Sequence, residues 1–241
     1  SFETYEGAGR FSRSWRFADN DPLSVKESGP VQADIVFEKG SEGTFATSDT
    51  LTINAGGLIR LCDDKRSTQL LFPDMSPRTI VVQNPDELED ALQQMSSGKV
   101  VCKPVEGFGG EGVLISADHS EIREHANHNN VYPALVQQFI DSSPGIKGLF
   151  TGVHDFRVII INGTIVMASY RQPVDGSLVA NVAQGGVLHS LPVEKIPQTA
   201  REMVSSIDSG LARFGDRIYS IDMMFEDGVK PWLLELNARP G

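Results

Sequence analysis

The sequence predicts an α+β fold in which antiparallel hairpins and a few one-sided helices share one chain. Three observations carry the prediction. Short apolar runs are joined by tight turns such as Asn162-Gly163 and Asp227-Gly228, which are hairpin signals. Two stretches, around 85–95 and 197–214, repeat apolar residues at the spacing of a helix with one buried face. Strands and helices do not alternate in the regular βαβ order of a doubly wound sheet.

The elements follow in order. The opening segment, to about Pro30, carries scattered aromatics (Phe2, Tyr5, Phe11, Trp15, Phe17), and Asp19-Asn20-Asp21-Pro22 reads as a turn between two short strands. Residues 34–37 and 51–53 read as strands, with a loop over Gly40–Gly43. Asn84 is placed to cap a helix, with Pro85 at its first position and Glu87 at the capping-box position. Leu88, Ala91, Leu92 and Met95 form its apolar face, and Gly98 stops it. A strand over 99–105, a glycine-rich loop over 106–112 and a strand over 113–116 come next. Residues 134–140 read as a buried strand, and 156–162 with 164–170 as a hairpin. Pro197 starts a helix whose Ala200, Met203, Val204, Ile207, Leu211 and Phe214 share one side, and the remainder reads as strand, turn, strand.

Composition narrows the function. The chain has 241 residues, with 40% hydrophobic and 22% charged, which excludes disordered, collagenous and coiled-coil classes. It is long enough to bury a core without disulfide or metal staples. No apolar run approaches a membrane span. Cys62 and Cys102 make no disulfide framework and suit a reducing cytoplasm. The net charge of −11 argues against a nucleic-acid binder, so an anionic ligand would need a few local cations. The chain opens at Ser1 without a methionine and reads as part of a longer protein.

Gly107, Gly109 and Gly112 match G-x-G-x-x-G, but a β-branched strand follows them where a dinucleotide fold needs a helix. Strand, glycine loop, strand describes a flap whose backbone N–H groups can approach phosphate oxygens; the alternative is a plain hairpin tip. A protein-kinase flap places its lysine on a later strand, whereas Lys103 precedes this loop. At the other end of the chain, Asp222 and Glu235 are equidistant from a turn centred between Gly228 and Val229. An unbulged hairpin would set them face to face, with Asn237 beside Glu235, and Ile221, Met223, Leu234 and Leu236 on the opposite face. Facing carboxylates repel, so this arrangement argues for a cation between them, unless the hairpin simply faces solvent. Two carboxylates and an amide oxygen suit Mg²⁺ better than a closed Ca²⁺ cage. The five scattered histidines offer no zinc site, and His125 and His128, on a polar helix, read as solvated.

Together these pieces resemble the ATP-grasp superfamily of carboxylate–amine ligases, from about Asp63 to Gly241 and in the family's order. Asp64-Lys65-x-x-Thr68 is similar to its first nucleotide lysine, and Lys103-Pro104 with Gly107, Phe108, Gly109, Gly110 and Gly112 to its second lysine and phosphate flap. Gln137, Gln138, Phe139 and Ile140 resemble the interdomain strand whose backbone meets adenine. Asp155-Phe156-Arg157 and Tyr170-Arg171 resemble the basic strands on the phosphate side, and Asn181 with Gly185-Gly186 a phosphate and substrate loop. Asp222 and Glu235-x-Asn237-x-Arg239-Pro240-Gly241 resemble the magnesium signature. Asn54, Asp63-Asp64-Lys65 and the closing segment resemble most the glutamate-ligase and glutathione-synthetase-like branch. Two departures stand out: Gln137-Gln138 where the family commonly has a carboxylate, and residues 1–62, too short and irregular for a full preceding α/β domain.

The resemblance implies an ATP-grasp fold of two α+β subdomains, 63–140 and 141–241, after a partial N-terminal segment, 1–62. It implies ATP and Mg²⁺, two ions of the latter, and an amide-forming reaction through an acyl phosphate. Lys65 and Lys103 would hold phosphates beneath the flap, and Asp222, Glu235 and Asn237 would ligate metal. Arg157 and Arg171 would stabilise the transferring phosphoryl group, and Arg239 or Arg171 would orient a substrate carboxylate. Partners would be a small acid and an amine, such as an amino acid or short peptide, with no nucleic acid and no membrane; a homo-oligomer is left open. A small-molecule kinase or a non-catalytic ATP-binding domain is the alternative on the same fold. By position, Ser142–Thr151 and Gln184–Gly186 are expected to shape substrate choice.

Overall fold

A computed structural model describes residues 4–18, 21–37, 50–95, 98–107, 110–174, 178 and 185–240. The expected Gly40–Gly43 loop, the turn residues Asp19 and Asn20, and Asn181 lie outside the described residues. The amino-terminal strands are β1 (Tyr5–Gly7), β2 (Arg10–Phe11), β3 (Ser14–Ala18), β4 (Asp21–Ser28), β5 (Val31–Gln32), β6 (Ile35–Phe37) and β7 (Leu51–Ile53). β3 and β4 form the expected antiparallel pair, and β6 and β7 run parallel. Helices α1 (Gly56–Asp63) and α2 (Lys65–Leu71) follow.

Next come β8 (Thr79–Val82), α3 (Pro85–Gln94), β9 (Val100–Pro104), β10 (Leu114–Ser116), α4 (His119–His128) and β11 (Ala134–Gln138). Their strands make one antiparallel sheet in the order β10-β9-β11-β8. Asn84 caps α3 by accepting from the Glu87 N–H at 3.0 Å, while the Glu87 carboxylate accepts from the Gln83 N–H one residue further back. The helix ends at Gln94, short of Gly98, and Leu88, Ala91 and Leu92 are buried against the sheet with Ile122 and Ala126 of α4.

The second half holds β12 (Asp155–Ile161), β13 (Thr164–Gln172), β14 (Val187–Leu191), α5 (Gln198–Leu211), β15 (Ile218–Glu226) and β16 (Lys230–Asn237). Its sheet runs β14-β13-β12-β15-β16, antiparallel throughout. Asn162 and Gly163, at φ +46° and +80°, make the tight β12–β13 turn. Ala200, Met203, Val204, Ile207 and Leu211 of α5 are buried on this sheet, and Phe214 packs from the 3₁₀ turn that follows. Leu58, Ile59, Leu61 and Cys62 of α1 join the same core. The boundary expected at residue 62 therefore falls within the α1–α2 pair, whose apolar face belongs with the carboxy-terminal sheet.

The last hairpin departs from its expected construction. Its strands leave the turn with Glu226 opposite Lys230 and Met223 opposite Leu233, one residue away from the expected register. A bulge at Leu234 then brings Asp222 opposite Glu235. The expected pair is present, but Leu234 does not join Ile221, Met223 and Leu236 in the core: the bulge turns it to the same side as Glu235, and Leu233 is buried instead. No helix among the described residues is long and apolar enough to cross a membrane.

Asn54, 1% exposed, ties this hairpin to the chain before α1. Its amide nitrogen donates to the carbonyls of Ile218 and Ala238 at 2.7 and 2.5 Å, and its oxygen accepts from the Ile218 N–H at 2.7 Å. Asn54→Ala leaves these backbone groups unpaired in the interior and is expected to cost about 3 kcal/mol of stability. Urea denaturation would check this, and a loss within experimental error of zero would show that water replaces the amide.

Candidate active site

The functional face of the carboxy-terminal sheet is a row of charge set by strand register. Ser169, Arg157, Asp222 and Glu235 lie side by side across β13, β12, β15 and β16. One row along, Asp155 pairs with Arg171. Side-chain alternation puts Asp155 and Arg157 on the same face of β12. Arg157 grips Asp222 with two bonds, Nε to Oδ1 and Nη2 to Oδ2, both 2.6 Å. Arg171 donates from Nη2 to Asp155 Oδ2 and, at 3.2 Å, to Asp222 Oδ2. Burial, together with the neighbouring Asp222, pushes the Asp155 carboxyl upward against the pull of both arginines. Burial likewise raises the Glu235 carboxyl, against Lys65, Lys103 and Arg157.

The other sheet supplies the lysine and the flap. Lys103 is buried on β9, where its Nζ donates to Gln137 Oε1 at 2.9 Å. Gln137 Nε2 passes on to Thr79 Oγ1 at 2.7 Å, so the amide's orientation is fixed from behind. Burial and, to a lesser extent, the Lys65 charge bring the Lys103 ammonium down to about 8, although Glu235 opposes them. Between β9 and β10 the chain turns at Gly107 and Gly112, whose φ values of +122° and +70° suit glycine alone at little cost. Lys65 opens α2, after Asp64 caps it through the N–H groups of Arg66 and Ser67. Its Nζ donates to the Gly107 carbonyl at 2.6 Å, which fastens one arm of the flap.

Both halves open on one cavity of about 430 Å³. Of the residues singled out in the sequence, Lys65, Lys103, Gly107, Gly110, Gln137, Gln138, Phe139, Ile140, Arg157, Arg171, Asp222, Glu235, Asn237 and Arg239 line it. Gly112 lies instead on the far side of the flap, where its carbonyl is 2.9 Å from His125 Nε2. His125 is thus half-buried and bonded to the flap rather than solvated, while His128 is exposed. Phe108, Gly109 and Asn181 lie outside the described residues. Arg239 is held by both oxygens of Asp63 at 2.5 Å, so an incoming carboxylate would compete with Asp63 for it. Ser142–Thr151 contributes nothing to the described cavity lining: Ile146 is in the core and the Lys147 N–H bonds the Gly228 carbonyl.

Sequence reasoning named Asp155 only as a neighbour of Arg157 and gave it no role; it also lines the cavity, and its buried Oδ1 has no hydrogen bond among the described residues. The alternation from Arg157 could have found it. Met224 and Leu234 line the cavity too, the second only because of the bulge.

The donor set fits a hard cation. Asp222 and Glu235 present carboxylate oxygens on neighbouring strands, and among the described residues neither the Glu235 carboxylate nor the buried Asn237 amide nitrogen has a hydrogen-bond partner. Oxygen donors with open positions suit Mg²⁺. No group of three His, Cys, Asp or Glu residues forms a metal cage among the described residues.

Comparison with known proteins identifies the family and the fold. Residues 65–237 match the family described as the ATP-grasp domain of prokaryotic glutathione synthetase. A probable α-L-glutamate ligase of Legionella pneumophila (strain Corby) is 32% identical over 203 residues, covering 81% of this chain; the chain spans 61% of that relative's length. Among solved structures, the D-alanine–D-alanine ligase of Bacillus anthracis complexed with ATP superposes with a TM-score of 0.60 at 16% identity, over 86% of this chain and 69% of the other. The ATP-grasp ligase PsnB, complexed with a phosphomimetic variant of its minimal precursor, Mg and ADP, gives 0.58 at 13% identity, over 95% and 78%. The fold is the ATP-grasp fold, and the chain belongs to the family of the prokaryotic glutathione synthetase ATP-grasp domain.

Proposed function

We propose that the protein is the nucleotide-binding part of an ATP- and Mg²⁺-dependent ligase that joins a carboxylate to an amine. The observation that carries this reading is the single cavity in which two lysines, three arginines and the facing pair Asp222 and Glu235 meet beneath a glycine flap. A triphosphate needs that concentration of cations in a chain of net charge −11. In the reaction proposed, the substrate carboxylate takes the γ-phosphoryl group to give an acyl phosphate and ADP. The amine then attacks the acyl carbon, phosphate leaves, and the amine gives up a proton. When bound, Mg²⁺ supplies charge neutralisation across the phosphate oxygens.

This chain's residues position and stabilise rather than form covalent bonds. Lys65 and Lys103 face the α and β phosphates, and the flap from Gly107 to Gly112 excludes water above them. Arg157 and Arg171 meet the charge on the transferring group. Asp222, Glu235 and Asn237 hold the metal, with two ions proposed, and Gln138 to Ile140 border the base. The flap residues Phe108 and Gly109, and Asn181, are assigned to the nucleotide by sequence alone. Arg239, after exchange with Asp63, orients the substrate carboxylate. The acid and amine are proposed to be amino acids or short peptides, because the Legionella relative is named a glutamate ligase. The division at residues 62 and 140 and a cytoplasmic location belong to the same proposal.

The deciding experiment is an ADP-release screen over pairs of amino acids and peptides, on a chain that includes whatever the full-length protein adds. Release that requires both an acid and an amine, with hydroxylamine trapping an acyl species, is the expected result. ADP release to a polyol without any acid would show a kinase, and nucleotide-dependent stabilisation without turnover would show a non-catalytic binder. Glu235→Gln keeps the side chain's shape but removes a carboxylate, and should abolish magnesium-dependent turnover while urea unfolding stays cooperative. Undiminished turnover would refute the metal assignment.

Lys103 sets a pH dependence. With its ammonium at about 8 in the free protein, nucleotide binds best below that pH. Affinity should fall as pH rises above about 8, by at most about tenfold per unit, because binding must then restore a proton. Calorimetric titration with ADP from pH 7 to 10 would show this slope, and Lys103→Met should bind weakly with no slope over that range. An equal slope in the variant would assign it to another group.

A further inference from the structure

Both carboxylate oxygens of Asp222 are engaged by arginines. Arg157 occupies Oδ1 through Nε and Oδ2 through Nη2, each at 2.6 Å, and Arg171 adds a third bond to Oδ2 at 3.2 Å. The pair is sheltered, with side chains 21% and 7% exposed, so it is little screened by solvent. A divalent cation and a guanidinium cannot share the same in-plane lone pairs, and side by side their charges repel. The surroundings do not help a free ion either. Lys65, Lys103, Arg157 and Arg171 face the cavity against Asp155, Asp222 and Glu235, which leaves no net negative charge to attract it.

We propose that Arg157 is the built-in counter-cation of Asp222, and that the guanidinium and a metal ion occupy this carboxylate alternately. The proposal rests on the reading of Asp222 and Glu235 as metal ligands. Arg157 can leave Asp222 only when another anion takes its donors, and phosphate oxygens accept a guanidinium in the same two-pronged way. Arg171 keeps its bond to Asp155, its cross-strand neighbour, and faces the transferring group from there. Metal entry and delivery of Arg157 to the phosphates are thus one exchange, and the metal site opens only with a nucleotide present. The ion pair that idles the site also keeps it from trapping free metal.

Mn²⁺ binding, counted by electron paramagnetic resonance, tests this without turnover. Wild-type protein should bind Mn²⁺ weakly alone and at least tenfold more tightly with ADP, and Glu235→Gln should lose the ADP-dependent gain. Arg157→Gln, which frees Asp222 Oδ1 and leaves Arg171 on Oδ2, should bind Mn²⁺ without nucleotide at least tenfold more tightly than wild type. Should Arg157→Gln bind free Mn²⁺ no better than wild type, while the wild type still gains with ADP, the exchange is overturned and the metal reading stands. An absence of ADP-dependent Mn²⁺ binding in the wild type overturns both. If Arg157→Gln folds only when Mn²⁺ is present, the ion is standing in for the guanidinium and the proposal is supported. If it does not fold at all, Arg157→Lys decides: its ammonium cannot span both oxygens, so a smaller gain is expected and no gain overturns the exchange.

Discussion

The structure depends on one constraint: the arginines and aspartates gathered in the middle of a sheltered cavity must pair with one another. Arg157 and Asp222 meet it at the centre, on adjacent strands of the sheet, with Glu235 and the Asp155–Arg171 pair around them. Removing one member of such a buried pair typically costs about 3–5 kcal/mol, because the other is left uncompensated. The same pairing that lets the sheet fold also holds two cations where an anion can recruit them. In the proposed reaction the same side chains would serve folding in the free protein and phosphate binding in the bound one.

The cavity is shared between two antiparallel sheets, each contributing what its geometry allows. The flat register of β12, β13, β15 and β16 lines up acids and arginines in a row. The shorter sheet contributes a buried lysine and a backbone lid. Lys103 is positioned by a chain of neutral amides and hydroxyls through Gln137 and Thr79, so nothing negative neutralises it from behind. Its charge is left for a ligand. Lys65 ties the flap on the inner side at Gly107, and His125 meets it on the outer side at Gly112. The flap is therefore tethered at both roots.

Much of this could be read from residue order because it depends on local chemistry. Asn84 before Pro85, and Asn162 before Gly163, specify a helix start and a turn through bonds and φ values within a few residues. Lys103, the glycines, Asp222 and Glu235 announce themselves by residue type and by the strands that carry them. Other features could not be read this way. Asp222 and Glu235 are opposed because a shifted turn and a bulge at Leu234 offset one another, and a pattern of alternation cannot register two compensating slips. His125 looked like a solvated residue on a polar helix, since nothing nearby in sequence shows that Gly112 will approach it. Asp155 was overshadowed by Arg157, although both point the same way.

The amino-acid sequence by itself determined the α+β class, the helix caps, the turns and the inventory of charged and glycine residues, because each rests on interactions over a few positions. Tertiary structure alone decided which charges pair. Arg157 chose Asp222, Arg171 chose Asp155, Arg239 chose Asp63, and α1 joined the core of a sheet made from the far end of the chain. Coulombic attraction and burial depend on distance in space, and that distance exists only once the strands have found their neighbours.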